Sequence, residues 1–310
     1  GSGVRVYPVG AVSEGLAGVE MAEVGRMKEA GIIAISDDGQ PVANSNLFRL
    51  AMQYADHFGL FIMSHSEDKN LVGDGVMNEG FISTKLGLPG STRAAEEVMI
   101  ARDILVAEAE GKRIHLCHVS TRGGVQLVRE AKARGVRVTA ETTPHYIGAT
   151  DEWVIGYDSR CRVNPPLREE ADRQACIEGL CDGTIDVIAT DHAPHHEDEK
   201  RCEFHIAASG ISGFETAFCI SNSMLVKSGK MTLSDLIERM SVRPAELLGV
   251  AGGSLSVGSA ADVVVFDPDK EVVVDASKFL SRGKNTPFDG KRYFGEIELT
   301  LVGGKTAYRG

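Results

Sequence analysis

Four apolar runs in this sequence end in side chains of the types that bind metal ions. Imidazole and carboxylate groups both suit zinc, and every one of these side chains is of one type or the other. A single buried histidine is about as often a core residue as a ligand, but four such positions at the ends of apolar runs have no packing explanation. The pattern therefore predicts a metal site. Its candidate ligands, in chain order, are Asp37 or Asp38, His65, His118, and Asp191 with His192 beside it.

Other histidines in the same regions are weaker candidates. His145 ends an apolar run, but a proline stands beside it and no second carboxylate is near, so we expect a structural or ligand-supporting role. His192, His195 and His196 crowd behind the last aspartate and could bind substrate, metal or nothing. Position favours His195, because the proline just before it stiffens the chain.

A repeating α/β pattern supplies the elements that would bring these positions together. From residue 4 to about residue 195, short β-branched runs alternate with longer stretches of helical periodicity. This alternation indicates a parallel sheet, and in a barrel all the strand ends face the same mouth. The predicted strands are 4–9, 32–36, 60–65, 113–120, 137–145 and 186–195.

The rest of the chain divides into helices and a β-rich tail. Helical spacing of apolar residues predicts helices over 92–110, 122–134, 213–228 and 232–249. From Gly252 the sequence changes to strand patterns punctuated by glycine, at 261–267, 271–275 and 296–310. We therefore expect a larger α/β domain at 1–251 and a small β appendage at 252–310.

Composition restricts the partners. The 310 residues carry a formal net charge of −11 and have a pI near 5.3, which argues against a nucleic-acid or anionic-membrane partner, because both need clustered Lys and Arg. No window approaches the roughly 18 continuous apolar residues of a membrane span. We expect a cytoplasmic protein that acts on a small molecule. The 6 cysteines include no C-x-x-C pair, which favours reduced thiols.

Several longer motifs carry a family resemblance. They are SDDG at 36–39, TAETTPHY at 139–146, VNPPLR at 163–168, GTIDVIATDHAPH at 183–195 and KNTPFDG at 284–290. Occurring in this order, they strongly resemble the long-chain bacterial dihydroorotases. The resemblance implies an α/β fold, a TIM-like (β/α)8 barrel of the amidohydrolase type with a small β-sandwich appendage. It also implies a zinc-dependent, reversible hydrolysis of the cyclic amide of dihydroorotate to N-carbamoyl-L-aspartate, in de novo pyrimidine biosynthesis.

The same resemblance implies roles for single residues. Asp38 would bridge two zinc ions, with His65 and His118 as ligands of one of them. Asp191 would be a ligand of the other zinc and the catalytic acid/base. The implied substrate contacts are Asn164, His195, Ser209 and Gly210. Family members usually carry Pro-Phe-Gly where this chain has Ala-Ser-Gly at 208–210, so the side chain at position 209 lacks an aromatic ring.

One departure from the family concerns the start of the chain. The family opens with an H-x-H-L-R motif and an Asn-Thr motif, which supply two zinc ligands, an arginine for the substrate carboxylate and an asparagine, and neither motif is present. Six predicted strands also cannot close a barrel of eight. We therefore expect an incomplete barrel at 1–251 that is inactive alone and holds fewer zinc ions than an intact site.

Three alternatives remain open at this stage. Dihydropyrimidinase and allantoinase resemble dihydroorotase but bridge their metals with a carboxylated lysine, whereas the second predicted strand ends in Ser36-Asp37-Asp38-Gly39. A non-catalytic subunit bound to aspartate carbamoyltransferase is the third, and a homodimer is also possible.

We further expect the segment from Ala193 to Ile211 to act as a substrate lid, because a loop of this length at a strand end is usually functional.

Overall fold

Parallel strands organise the larger part of the protein. The structure is a computed structural model that describes residues 3–310. In chain order its strands are β1 (Val9–Gly10), β2 (Ala34–Ile35), β3 (Ile62–Ser64), β4 (Met77–Asn78), β5 (Gly90–Ser91), β6 (Ile114–Leu116), β7 (Val138–Thr142), β8 (Val187–Ile188), β9 (Val263–Val273), β10 (Arg292–Val302) and β11 (Lys305–Arg309). Six of them form one sheet in the order β1-β2-β3-β6-β7-β8, and β4 pairs only with β5.

Every neighbouring pair in the six-stranded sheet is parallel, which confirms the predicted α/β architecture. Each predicted strand segment overlaps an observed strand, but the observed strands are shorter. Two segments depart most from the prediction. Only Val9 of the segment 4–9 lies in a strand, because the side chains before it are largely exposed and have no sheet face to cover. β7 ends at Thr142, so His145 lies beyond it in a helix.

Helices connect the strands, as parallel pairing requires. They are α1 (Val24–Glu29), α2 (Ser45–His57), α3 (Lys69–Val72), α4 (Phe81–Leu86), α5 (Ala94–Glu110), α6 (Arg122–Ala133), α7 (Pro144–Gly148), α8 (Glu170–Asp182), α9 (Glu197–Lys200), α10 (Ala217–Ser221), α11 (Leu233–Ile237) and α12 (Arg243–Leu248). Short 3-10 turns lie at Glu14–Leu16, Asp151–Val154, Ser159–Cys161 and Ala276–Lys278. No helix in residues 3–310 is both long enough and apolar enough to cross a membrane.

Helix α5 and helix α6 match the predicted 92–110 and 122–134 closely. The two later predictions are only partly correct, because π-helical turns at Asn222–Lys227 and Glu238–Val242 interrupt them. Two long helices escaped prediction, α2 and α8. α2 begins where the Asn44 side chain accepts hydrogen bonds from two backbone N–H groups, and α8 has no such capped start and little amphipathic contrast.

The main core lies between the parallel sheet and these helices. Strand residues such as Ile35, Ile62 and Ile114 are fully buried, and they belong to one cluster with the apolar faces of α2, α5 and α6. Burying a large aliphatic side chain contributes about 1.5–3 kcal/mol to stability relative to leaving it exposed. This core therefore holds the carboxyl ends of the strands in fixed relative positions.

An antiparallel sheet of three strands, in the order β11-β10-β9, forms the appendage. The predicted strands at 261–267 and 271–275 are a single long strand, β9. The antiparallel appendage is confirmed, and residues 3–310 contribute one sheet to it rather than the two layers of a sandwich. Val264 and Val265 remain about half exposed on this sheet.

A buried arginine joins loops from four parts of the chain. Arg168, from the VNPPLR motif, donates to the Ser120 hydroxyl at 3.1 Å, the Asn78 side chain at 3.2 Å and the Ser91 carbonyl at 3.2 Å. It also lies 3.4 Å from the carboxylate of Glu96, which accepts hydrogen bonds from the backbone N–H groups of residues 120 and 121. The network fixes the loops beside the carboxyl ends of the strands.

Replacing Arg168 tests this network. We expect Arg168→Met to lower the free energy of unfolding by about 3–5 kcal/mol, because it leaves a buried carboxylate without its cation. Arg129→Met is the matched control, since Arg129 pairs with Asp182 on the exposed surface, and such a change costs within about 0.5 kcal/mol. The measurement is urea unfolding of both variants. Equal losses in the two variants would contradict the structural role.

Candidate metal centre

Three of the predicted ligands meet at the carboxyl ends of the parallel strands. Asp38 follows β2, His65 follows β3 and His118 follows β6. The two imidazoles approach to 2.8 Å between Nδ1 of His65 and Nε2 of His118. The same Asp38 carboxylate oxygen lies 3.1 Å from the first of these nitrogens and 3.4 Å from the second. The ligand atoms of all three side chains lie within 4.8 Å of one another, as a shared metal ion requires.

Two predicted site residues have a positive φ angle, a backbone conformation that residues other than glycine rarely adopt. His118 has φ 38° and Asp191 has φ 45°, and neither is glycine. Such conformations cost of order 1–3 kcal/mol each and persist only where the surrounding structure enforces them. Both residues come just after a parallel strand, β6 or β8. This strain at two strand ends indicates that the fold directs these side chains for function.

A buried carboxylate orients His65. Nε2 of His65 lies 3.3 Å from Glu67, and Lys69 lies 2.5 Å from the same carboxylate oxygen. Burial alone would raise the pKa of Glu67, but hydrogen bonds and charges from His65 and Lys69 lower it to about 2. A histidine that donates one nitrogen to a carboxylate presents the other to a metal. Glu67 was missed by sequence reasoning, although its position two residues after a candidate ligand was a usable signal.

The electrostatics of the cluster favour a bound cation. Burial would raise the pKa of Asp38, but hydrogen bonds and charges from His118 and His65 hold it well below its usual range. Burial would lower the pKa of His118, but Asp38 and the nearby charges of Asp191 and Glu141 raise it to about 9. The surrounding carboxylates therefore stabilise positive charge at this position. A divalent metal fits the same requirement, together with the donor set of one carboxylate and two imidazoles.

Asp191 reaches the same region but is not hydrogen bonded there. Within residues 3–310 no group donates a hydrogen bond to its carboxylate, and the nearest influences on it are charges. Burial, followed by the negative charges of Asp38 and Glu141, raises the pKa of Asp191 against the opposing effect of His118. A carboxylate with a raised pKa and free lone pairs is suited to accept a proton.

Asp37 has a different role from its neighbour. It is buried, and its carboxylate accepts backbone N–H bonds from Val12 at 2.7 Å and Ser13 at 3.1 Å, together with a bond from the Ser13 hydroxyl. These contacts fix the segment after β1 against the end of β2. Of the two adjacent aspartates, Asp37 is therefore structural and Asp38 is the one that meets the histidines.

A second group with metal-type donors lies deeper in the sheet. His115, Cys117 and Glu141 are all buried and also lie within 4.8 Å of one another. Both ring nitrogens of His115 already have protein partners, Thr139 at 2.9 Å and Glu141 at 2.9 Å. Burial, with the charge of Glu141, raises the pKa of the Cys117 thiol well above its ordinary value. This group is best explained as a satisfied buried pair beside an inert thiol.

His145 is also buried next to the site. Its Nε2 atom has no hydrogen-bond partner within residues 3–310. Burial and the charge of His118 lower the pKa of His145 to about 3, so its ring is neutral. It is absent from the ligand group of Asp38, in keeping with the supporting role expected for it.

A cavity of about 440 Å³ opens over the cluster. Most of the predicted site residues line it: Asp38, His65, Asn164, Asp191, Ser209 and Gly210. Glu67, Lys69 and Arg162 also line it. His118 lies behind this surface, in contact with His65. His195 is not among the residues that line the cavity, and its Nε2 lies 2.9 Å from the Ser209 carbonyl oxygen.

Comparison with known proteins identifies the family. The Amidohydrolase family matches residues 14–307. A protein named dihydroorotase from a Thermoanaerobacter species is 50% identical over 306 residues, which are 99% of this chain and 71% of that protein. Another protein of the same name, from Pelotomaculum thermopropionicum, is 53% identical over 97% of this chain and 71% of its own length. The chain belongs to the dihydroorotases of the amidohydrolase family.

Solved structures support the same fold. The L-hydantoinase (dihydropyrimidinase) of Arthrobacter aurescens superposes with a TM-score of 0.85 over 98% of this chain and 70% of that one, at 26% identity. A dihydropyrimidinase from Brevibacillus agri superposes with a TM-score of 0.80 at 23% identity, over 91% of this chain and 65% of that one, which is evidence for the fold alone. The predicted fold class, a TIM-like barrel architecture with a small antiparallel appendage, is confirmed.

Glu67 offers a direct test of the metal centre. We expect Glu67→Gln to weaken zinc affinity about 10- to 100-fold, the usual effect of removing a carboxylate that orients a ligating histidine. Glu152→Gln is the control, because Glu152 is exposed and makes no contact with the cluster. Zinc affinity is measured by competition with a chromogenic chelator. Unchanged affinity in the Glu67 variant would rule out its orienting role.

Proposed function

We propose that this protein interconverts dihydroorotate and N-carbamoyl-L-aspartate in pyrimidine biosynthesis, using zinc held by Asp38, His65 and His118. One observation carries the proposal: a carboxylate and two imidazoles converge at the strand ends, and a free carboxylate, Asp191, lines the same cavity. A cyclic amide is unreactive, so its hydrolysis needs both an activated water and a group that carries protons. The site provides candidates for both needs.

The bound metal and the protein side chains have separate tasks. When bound, zinc supplies Lewis acidity, which lowers the pKa of a water molecule and polarises an amide carbonyl. Asp191 accepts the proton from water and delivers it to the ring nitrogen as the amide bond breaks. For ring closure Asp191 runs the same proton path in reverse, by microscopic reversibility. Its raised pKa suits this shuttle, because a stronger base would hold the proton and a weaker one would not take it.

The cavity wall supplies the proposed substrate contacts. Asn164, Ser209 and Gly210 lie on its surface. Gly210 has φ 151°, and a Cβ atom there would come within 2.6 Å of the Ala193 side chain, so glycine allows residues 193 and 210 to approach each other closely in this part of the wall. The proposed contact of His195 with substrate stays a prediction, since its Nε2 faces the Ser209 carbonyl oxygen. The missing aromatic ring at position 209 leaves that part of the wall more open.

Hydantoinase chemistry is the alternative closest to this proposal, and the end of β2 argues against it. Enzymes of that type are expected to bridge their metals with a carboxylated lysine, whereas this position is Asp38. The small-molecule substrate is the partner that the site supports. A homodimer, a complex with aspartate carbamoyltransferase and a cytoplasmic location stay predictions.

Asp191→Asn tests the proposed proton shuttle, in a chain that also carries the opening H-x-H-L-R and Asn-Thr motifs of the family. We expect turnover of dihydroorotate to fall at least about a hundredfold, because the amide cannot take up the proton. Asp182→Asn is the control, since Asp182 pairs with Arg129 on the surface. The assay follows carbamoyl aspartate formation, with zinc content measured in parallel to separate loss of the shuttle from loss of metal.

Two outcomes would contradict the assignments. Near-normal turnover in Asp191→Asn with zinc retained would reject Asp191 as the shuttle. Hydrolysis of hydantoin or dihydrouracil by the same chain without the substitution, faster than that of dihydroorotate, would replace the proposed substrate with that of the hydantoinases.

A further inference from the structure

One buried lysine in the DHAPH loop has no role in the chemistry described above. Lys200 ends helix α9 in the acidic stretch Glu-Asp-Glu-Lys at 197–200, yet its side chain is only 5% exposed. Its ammonium group donates to three backbone carbonyl oxygens, those of Arg162 at 3.0 Å, Ala208 at 2.7 Å and Gly210 at 3.2 Å. Within residues 3–310 no carboxylate pairs with it. Burying an ammonium group that is bound only by neutral carbonyls costs free energy. The presence of Lys200 here therefore indicates that its three N–H donors are needed at this position.

The three carbonyls belong to the seam between two parts of the cavity wall. Arg162 precedes the VNPPLR motif, and Gly210 donates its own N–H to the Arg162 carbonyl at 2.9 Å. Arg162 also approaches the Ser209 hydroxyl at 3.3 Å. Arg162, Ser209 and Gly210 all line the cavity. Lys200 therefore binds this wall from behind, at the point where the two segments meet.

The base of this loop, where residues 193–195 meet residues 210–211, is held by a different residue. Asn285, from the KNTPF motif, accepts from the backbone N–H of His195 at 2.9 Å and donates to the carbonyls of Ala193 at 3.1 Å and Gly210 at 3.0 Å. Ala193 also donates to Ile211 at 3.0 Å. The base of the predicted lid is thus held by neutral hydrogen bonds. The wall at 208–210 depends in addition on a titratable cation.

We propose that Lys200 is a positioning residue: its ammonium group holds the backbone at 208–210 against Arg162 and so shapes the cavity wall. The part of the proposal that concerns substrate rests on the proposed function. An ammonium has three N–H donors, one for each of these carbonyls, and its charge strengthens each bond. The carbonyls of Arg162 and Gly210 have a second donor, the Gly210 N–H and the Asn285 side chain, whereas the Ala208 carbonyl is bound by Lys200.

The surroundings of Lys200 disfavour its positive charge. Burial, followed by the positive charge of Arg162, lowers the pKa of Lys200 to about 8. The other titratable groups that face it are Cys161, Asp158 and Cys202, which act in the opposite direction. A lysine exposed to water keeps its proton to higher pH, so rising pH favours the wall with Lys200 buried in it over a state in which the wall opens and exposes the amine. The wall is therefore expected to stay ordered between about pH 7 and about pH 9, and its order depends on the N–H donors of Lys200 rather than on its titration.

Hydrogen exchange tests the proposal on the chain itself. Exchange of the amides in the peptide covering 203–212 is measured by mass spectrometry for the unaltered protein, Lys200→Met and Arg201→Met, at about pH 7 and about pH 9, each rate corrected for intrinsic exchange. Arg201 is the matched control, because it is the exposed neighbour that pairs with Glu197. We expect Lys200→Met to exchange at least about tenfold faster at pH 7, as loss of charged hydrogen bonds predicts, and Arg201→Met to match the unaltered protein. The unaltered protein should keep its protection at pH 9.

Equal protection in Lys200→Met and the unaltered protein would overturn the proposal, as would loss of protection in the unaltered protein at pH 9. If Lys200→Met does not fold, Lys200→Gln takes its place: it keeps two N–H donors without the charge, so its exchange should be faster than that of the unaltered protein, and equal protection would again overturn the proposal.

Kinetics of a chain that also carries the opening motifs of the family then test the link to substrate. We expect Lys200→Met to raise KM for dihydroorotate several-fold at pH 7 and to change kcat little, because the wall binds substrate without touching the reacting atoms. An unchanged KM with a loosened wall would reject the link to substrate, whereas absence of dihydroorotase activity in every form would reject the proposed function and leave the exchange result standing.

Discussion

Parallel pairing of short strands is the constraint on which the rest of the structure depends. Since all strands of the six-stranded sheet run in the same direction, the residues that follow β2, β3, β6 and β8 emerge at one edge. That edge receives Asp38, His65, His118 and Asp191, which are spread over most of the first two thirds of the chain. The positive φ angles of His118 and Asp191 also affect the direction in which their side chains leave the strand ends. A core of buried aliphatic residues supports this strain, because local energetics alone would not maintain it.

The carboxylates around the site differ in character because their neighbours differ. Asp38 touches two histidines and has a strongly lowered pKa, whereas Asp191 lacks hydrogen-bond donors within residues 3–310 and has a raised one. Glu67 is held as an anion by His65 and Lys69. Groups of one chemical type are thereby separated into a candidate ligand, an anion that contacts His65 and a proposed proton acceptor. Divergent pKa values among nearby carboxylates are a general sign of divided catalytic roles.

Several motif residues that lie away from the metal centre hold the cavity wall together. Arg168 joins four segments of the chain, Asn285 holds the base of the long loop after β8, and Lys200 binds the end of that loop at 208–210 to Arg162. All three are buried polar side chains whose partners include backbone carbonyls. Such groups are costly to bury unless every donor is satisfied, so their contacts specify one loop arrangement and disfavour others. The family motifs VNPPLR and KNTPF thus contain structural residues as well as candidate substrate contacts.

The sequence by itself determined the alternating α/β pattern, the helices α5 and α6, the β-rich tail and the residues at the strand ends. These features are local, because side-chain periodicity and the change from apolar to polar residues are written into consecutive positions. Tertiary structure decided which of two adjacent aspartates meets the histidines, since Asp37 is engaged by Val12 and Ser13. It also decided the contacts of Glu67 with His65, of Lys200 with Ala208, and of His195 with the Ser209 carbonyl oxygen. Those outcomes depend on contacts between segments far apart in the chain, and no local pattern encodes such distances.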